Sequence, residues 1–269
     1  MILRNPREPI SGEVPENAFE AVEERSGERL GASVVHLETN PVLFSNRPVQ
    51  MRLEFEGQGA AIGQLVGAAI ARARAIAKEE QLPARLYAPC APEDQELLSA
   101  LAPYGFQDTD GLVRMSLKRP LPPMTTTPAG CVIVNDDLSD PEERTYFLER
   151  YNQLYQAQRD VSWLVELSGR KLFQRLLCVS PKGLAGEILL YLSDGAGRVA
   201  YLQTSRRWRN MGMGTHMLML ACNYFENLGI YTVEADVRAR IPFLLRTFER
   251  AGFRQEKLLM RYPGIDIAP

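Results

Sequence analysis

Apolar and polar positions repeat along this chain in two rhythms. Over residues 62–78, Leu65, Val66, Ala69, Ile70, Ala73, Ile76 and Ala77 recur at helical spacing, which predicts a helix with one core-facing stripe. Residues 213–228 repeat the pattern through Met213, Met217, Leu220, Ala221, Tyr224 and Leu228, and Gly229 supplies a stop. Alternation of period two at 33–37 and 49–55 predicts neighbouring antiparallel strands, separated by Asn40-Pro41 and Asn46-Arg47-Pro48. The charge-rich stretch 15–30, with Phe19, Val22 and Leu30 as its apolar minority, predicts a surface helix. A short strand at 85–87, a helix at 93–101 led by Pro92 and acidic residues, and a strand at 112–117 complete the first half.

Residues 119–130 hold prolines at 120, 122, 123 and 128 and no periodic apolar face, so they predict a linker between a first domain, 1–118, and a second, 131–269. Beyond it the pattern predicts a strand at 131–134 and a helix at 141–156 with Phe147, Leu148, Tyr151 and Leu154 inward. A helix broken near Ser168-Gly169 follows over 163–176. A hairpin is expected at 177–180 and 184–192, and strands at 199–203, 231–237 and 257–262, with a helix at 242–251.

The two halves end alike. Each runs through a long helix, a short strand, a short helix, a Gly-Phe turn (Gly105-Phe106, Gly252-Phe253) and a strand holding a methionine (Met115, Met260). Gln58 to Gly63 falls where Arg209 to Gly214 falls. Two copies of one unit are expected, the first lacking the paired helices after its opening strand.

Composition narrows the class. With 269 residues, 45% hydrophobic and 24% charged, the chain has the make-up of a folded globular protein. A net charge of -2 makes any arginine cluster a local site and not part of a nucleic-acid surface. No membrane span or signal core is evident, so a cytoplasmic location is expected. Cys90, Cys131, Cys178 and Cys222 are dispersed and His36 and His216 stand apart, so reduced thiols and no metal are expected.

The candidate chemistry sits between strand 199–203 and helix 213–228, in Arg206-Arg207-Trp208-Arg209-Asn210-Met211-Gly212-Met213-Gly214-Thr215. A strand, a glycine-bearing turn and a helix N-terminus form an anion site, because the first-turn amides lack internal partners and the macrodipole adds positive potential. No Gly-Lys-Ser/Thr follows, which sets aside a nucleoside-triphosphatase loop.

Arg209 to Gly214 resembles the Arg/Gln-x-x-Gly-x-Gly/Ala loop of the GNAT superfamily of acyl-CoA N-acyltransferases, and Ala251-Gly252-Phe253 stands where that family has Leu-Gly-Phe. The resemblance covers the order of elements across the second half. It implies an α/β (α+β) fold of two tandem GNAT-like domains, each a mixed, mostly antiparallel sheet flanked by helices, the first a degenerate copy. It also implies an N-acetyltransferase moving an acetyl group from acetyl-CoA to a primary amine of a small molecule or peptide. The diphosphate of coenzyme A would lie on amides of Asn210, Met211, Gly212, Met213, Gly214 and Thr215 with Arg209 assisting, and the pantetheine arm along Leu202, Gln203 and Thr204.

On strand 231–237, Glu234 and Asp236 lie on the face opposite Val233, Ala235 and Val237 and are the candidate bases; Glu187 is a third. The tyrosine that the family often uses as acid falls at Phe248, leaving Tyr231 or Tyr224 as substitutes. The first loop is approached through Glu54 and Glu56 and the second through arginines, so the second is the expected binder of an anionic carrier. A non-catalytic acyl-CoA-binding sensor or assembly module is the alternative. No nucleic acid or membrane partner is expected, and assembly as a homodimer stays open.

Overall fold

The structure, a computed structural model, describes residues 1–57, 59–118, 126–155 and 157–269. Its first half runs β1 (Ile2–Arg4), a 3-10 turn (Pro15–Asn17), β2 (Ala18–Val22), β3 (Arg29–Thr39), β4 (Val49–Gly57), α1 (Ala60–Glu80), β5 (Ala84–Tyr87), α2 (Gln95–Leu101) and β6 (Gly111–Lys118). The second runs β7 (Val132–Asp136), α3 (Pro141–Tyr155), α4 (Val161–Ser168), β8 (Gln174–Ser180), β9 (Gly183–Ser193), β10 (Ala196–Thr204), α5 (Met213–Asn227), β11 (Thr232–Arg238), α6 (Pro242–Arg250), β12 (Arg254–Arg261) and β13 (Gly264–Ile267).

Two mixed sheets result, in the orders β1-β2-β3-β4-β5-β13 and β12-β6-β11-β10-β9-β8-β7. Each contains one parallel pair, β4 with β5 and β10 with β11, and the other recorded pairings are antiparallel. The stripe expected on α1 is buried from Leu65 through Ala77; Leu65 packs with Ala21, and the stripe from Val66 onward packs with Val35, Met51, Leu53 and Leu86 in the first core. In the second core Met213, Met217, Ala221 and Phe225 of α5 meet Ile188, Val199, Val233 and Ala235. Leu228, expected on the same stripe, is exposed, because the helix already ends there, at its C-cap.

Three expectations are corrected. Residues 15–30 form no α-helix; a 3-10 turn, β2 and the start of β3 occupy them, with Glu20 opposite Arg4 on β1 and Glu23, Glu24, Arg25 and Glu28 in the turn between β2 and β3. The helix expected over 163–176 stops at Ser168, and Gln174–Ser180 is a strand with Leu176 and Cys178 buried on one face. The division into 1–118 and 131–269 misses an exchange of strands. β6 pairs with β11 from Thr232↔Lys118 to Arg238↔Leu112, in the second sheet, while β13 pairs with β5 from Gly264↔Tyr87 to Ile267↔Ala84, in the first. The compact units are accordingly 1–111 with 154–156 and 259–269, and 112–153 with 157–258. Of the expected linker, residues 119–125 lie outside the described residues, as do Gln58 of the first loop and Gln156.

The exchanged strand β13 is held by a buried arginine. Arg85 of β5 is 1% exposed, and its guanidinium meets Asp266 at 2.9 Å. Gly264 allows this, since a Cβ there would stand 2.8 Å from Arg85 Cζ. Arg47 reaches the same carboxylate at 2.9 Å.

Candidate functional site

All the residues of the candidate site belong to the second unit. β10 and β11 are parallel neighbours only at Gly197↔Val233 and Arg198↔Glu234. Beyond that point β10 stays on β9 as far as Thr204↔Gly186, and β11 stays on β6 as far as Arg238↔Leu112, so the two strands part. The cause is local: the β9–β10 register shifts between Val199 and Tyr201, and the extra residue bends the strand away. Leu202, Gln203 and Thr204 follow the bulge and form the edge of β10 that faces the gap.

The loop then closes on the helix. Ser205 N–H donates to Ala185 O at 3.0 Å, a 3-10 turn spans Arg206–Trp208, and Asn210 (φ 61°) and Gly212 (φ 81°) take left-handed conformations. Gly212 is the N-cap of α5 and no side chain caps the first turn. Its missing Cβ faces open space, so main-chain donors there are approachable, as an anion nest requires. Arg206, Arg207, Arg209, Asn210, Met211 and Gly212 are exposed, and Arg209 Nε lies 3.5 Å from Thr204 O. Met213 is different: its side chain is core, and only its amide can serve a ligand. Thr215 is half-buried in the same first turn. Gly214 is required by packing, because a Cβ would stand 2.8 Å from Thr247 Cγ2 on α6.

Across the sheet from α5 the second face of β9 and β10 is polar and aromatic. Tyr201 is buried and packs edge-on against Phe147 at 5.4 Å and against Tyr151 at 5.6 Å; Tyr151 in turn meets Trp163 at 4.8 Å. The Tyr201 hydroxyl donates to Gln203 Oε1. Directly opposite Gln203 is Glu187, fully buried, accepting from Arg175 Nε at 2.6 Å and from Arg150 at 3.1 and 3.3 Å. Arg175, also buried, reaches Asp136 and, at 3.0 Å, Glu143. Burial opposes its charge, but Glu187, Glu143 and Asp136 together raise its pKa above the ordinary arginine value.

Glu187 is thus sealed in ion pairs and cannot reach a substrate. Glu234 and Asp236 lie on the face opposite α5 as expected, but held: Arg198 contacts Glu234 at 2.7 Å, and Arg114 contacts Asp236 at 2.9 Å and Glu234 at 3.6 Å. Arg114 comes from the exchanged β6, a partner that local sequence could not supply. Phe248 is 2% exposed and stacks edge-on against Phe253 at 5.1 Å, so the position of the family's acid is core. Tyr224 lies roughly 16 Å along α5 from Met213, and Tyr231 precedes β11 at the end where β10 and β11 are joined. Neither is brought to the gap. Tyr201 and the arginines that hold Glu187, Arg150 and Arg175, were missed; the alternation of Tyr201 and Gln203 with Leu202 was the available signal.

The first copy has a different loop. Gly59 is the N-cap of α1 (φ 52°), Glu56 pairs with Arg29, and the Tyr104 hydroxyl occupies the space a Cβ of Gly63 would need. Burial pushes Glu54 up, but Arg52 and His36 outweigh it and hold its carboxyl below the ordinary value.

No protein-family model matches the chain, and no curated protein matches it in sequence. Solved structures do match it. A GCN5-related N-acetyltransferase from Sphaerobacter thermophilus is similar over 96% of this chain and 84% of its own, at 17% identity and a TM-score of 0.53. A conserved protein of unknown function from Enterococcus faecalis V583, described as a probable N-acyltransferase, is similar over 91% of this chain and 61% of its own, at 12% identity and a TM-score of 0.52. A tandem GNAT protein from the clavulanic acid biosynthesis pathway is similar over 94% and 83%, at 15% identity and a TM-score of 0.45. At these identities the likeness is one of fold.

Proposed function

We propose that this chain, which has the fold of the GCN5-related N-acetyltransferases, transfers an acyl group from a coenzyme A thioester, acetyl-CoA in the simplest case, to an amine. The observation that carries the reading is the gap between β10 and β11 opening beside an uncapped, arginine-flanked helix N-terminus. Main-chain donors from Asn210 to Thr215 receive the diphosphate, and Arg209, Arg206 and Arg207 supply the field that attracts it. The edge at Leu202, Gln203 and Thr204 pairs with the amides of the pantetheine arm as a neighbouring strand would.

When bound, the thioester supplies an activated acyl carbon and a thiol with an ordinary pKa near 8.5. An N–H near Leu202 would stabilise the negative charge that develops on the acyl oxygen. The amine nitrogen bonds to the acyl carbon as the C–S bond breaks; one proton leaves nitrogen and one ends on sulfur, giving an amide and the free thiol. The proton from nitrogen leaves through water, with Glu234 and Asp236 as nearby carboxylates whose oxygens already accept from Arg114 and Arg198. With phenylalanine at 248 and neither Tyr224 nor Tyr231 at the gap, thiolate departure proceeds without that help, at a cost of about 10² in rate or more.

Calorimetry with acetyl-CoA tests the binding half of the reading. One site per chain is expected, weakened about tenfold or more in Arg209→Ala, as for the loss of one charge-assisted contact; an absence of binding overturns it. Thiol release with a panel of amines tests the transfer half. The alternative, an acyl-CoA-binding module without turnover, draws on the burial of Phe248 and the ion-paired state of Glu234 and Asp236; tight binding with no thiol release would favour it.

A further inference from the structure

We infer that the acceptor amine carries a carboxylate, as an amino acid does, and that Arg150 and Gln203 recognise it. The inference rests on the acyl-transfer reading above and names the substrate class for that site. Gln203 lies one residue past Leu202 on β10, on the opposite face of the strand from the core. Its carbonyl end is taken by the buried Tyr201 hydroxyl, which leaves the amide nitrogen, with its two donors, as the end presented to a ligand. Opposite Gln203, Glu187 fixes Arg150 through one terminal nitrogen.

The rest of that guanidinium is the unusual feature. Arg150 Nε is buried and has no hydrogen-bond partner, although the side chain keeps 32% of its surface exposed. A buried donor left unmatched costs free energy, and a ligand oxygen beside it would recover that cost. Glu187 cannot take the role, because Arg175 Nε and Arg150 already bond to it and no part of it is exposed. The site therefore offers donors from two neighbouring groups, beside a carboxylate that is already occupied. A carboxylate, planar and acceptor-only, fits such a pair, whereas an ammonium group does not.

The neighbouring surface agrees with a small, compact acceptor. Tyr151 and Trp163 pack against each other on the α3 and α4 side, and Arg159 lies over the Trp163 ring at 5.5 Å. Through Tyr151, which meets Tyr201 at 5.6 Å, these groups form an aromatic wall beside the donors, with Arg159 as a second cation and the Asp160 carboxylate bonded to the first turn of α4 at 3.0 Å. Gln203 is the neighbour of Leu202 on β10, so an amino acid held there by its carboxylate would present its amine toward the strand edge proposed for the acyl group.

Matched acceptor pairs test the inference: each amino acid beside the amine that lacks its carboxylate, for example phenylalanine with phenethylamine and β-alanine with ethylamine. The expected result is a kcat/KM for the amino acid at least about tenfold above that of its partner, as one charge-assisted interaction provides. In Arg150→Gln that ratio should collapse toward one, mainly through KM, and Arg150→Lys should restore part of it. Gln203→Leu should lower the ratio as well. Equal or better use of the amines lacking a carboxylate overturns the inference. So does an Arg150→Gln variant that slows both members of a pair equally, because a purely structural role beside Glu187 would do that. If no amine is turned over although acetyl-CoA binds, the transfer reading fails separately. Calorimetric titration of β-alanine into the coenzyme A-saturated protein then decides the carboxylate site: binding lost in Arg150→Gln supports it, and no binding to the unmodified protein overturns it.

Discussion

Gly212 and Gly214 are two residues apart and meet different physical demands. Gly212 needs a positive φ and has open space where a side chain would go; Gly214 has an ordinary helical backbone and no room. Gly212→Ala is expected to cost about 1 kcal/mol of stability from the left-handed conformation and to weaken acetyl-CoA binding. Gly214→Ala should cost about 1–2 kcal/mol by pressing on Thr247, whose hydroxyl donates to Phe243 O at 2.8 Å and so resists moving. Thermal denaturation and calorimetry on the two variants separate these effects. The cysteines give a second test at this scale. Burial pushes the Cys178 thiol up to about 11 and the Cys222 thiol up to about 12, and raises Cys90 as well. At pH 8 the reactive thiolate of Cys178 and Cys222 is then roughly one part in 10³ and 10⁴. Alkylation of the native protein should mark the partly exposed Cys131 first, with Cys222 reacting only on unfolding; mass mapping of the labelled sites reads the order.

Helix α5 reaches the gap because two glycines beneath it let it lie close to the sheet. A Cβ on Gly197 would stand 2.3 Å from Phe225 Cδ2, and one on Gly186 would stand 2.9 Å from Met217 Cγ. Gly197→Ala is expected to destabilise the fold by about 3 kcal/mol, the upper part of the range for overpacking, and to weaken acetyl-CoA binding because the helix N-terminus moves with the helix. Denaturant titration and calorimetry on the same variant check both. The elements with strong periodicity were legible from sequence: α1, α5, and the strands at β3, β4 and β11 fall where their patterns put them. The misread segments have physical reasons. In 15–30 most of the charges belong to the turn between β2 and β3, while Glu20 answers Arg4 across the sheet; in 169–173 the chain has already left α4 and Leu172 is left-handed (φ 54°), so no helix continues into β8. The turn between β10 and α5 could be read because its spacing is local. Arg150, Arg175 and Tyr201, and the ion-paired state of Glu187, could not, since these residues meet only when α3, β8, β9 and β10 are assembled.

At the level of the whole chain, each sheet borrows a strand from the other half of the sequence. The contact is specific: Arg85 is buried, and Asp266 neutralises it from a distance of 181 residues along the chain. Asp266→Ala should cost about 2 kcal/mol, below the usual figure for stranding a buried charge because the carboxylate is partly exposed. The loss should appear as a lower denaturation midpoint with the acetyl-CoA affinity at the second unit's loop little changed. Repetition in sequence, read through the Gly-Phe turns, suggested two self-contained copies, and nothing in residues 111–118 or 264–267 announces which sheet each will join.

That arrangement governs how the protein can be made. A nascent chain emerging from its N-terminus can form β1 to β5 early, but Leu86 and Tyr87 must wait for Ile265 and Gly264, which arrive only after the second half has been translated. Until then one margin of β5 is bare, an invitation to pair with the wrong strand, and overexpression at lower temperature or with chaperones in excess should raise the yield of correctly assembled molecules.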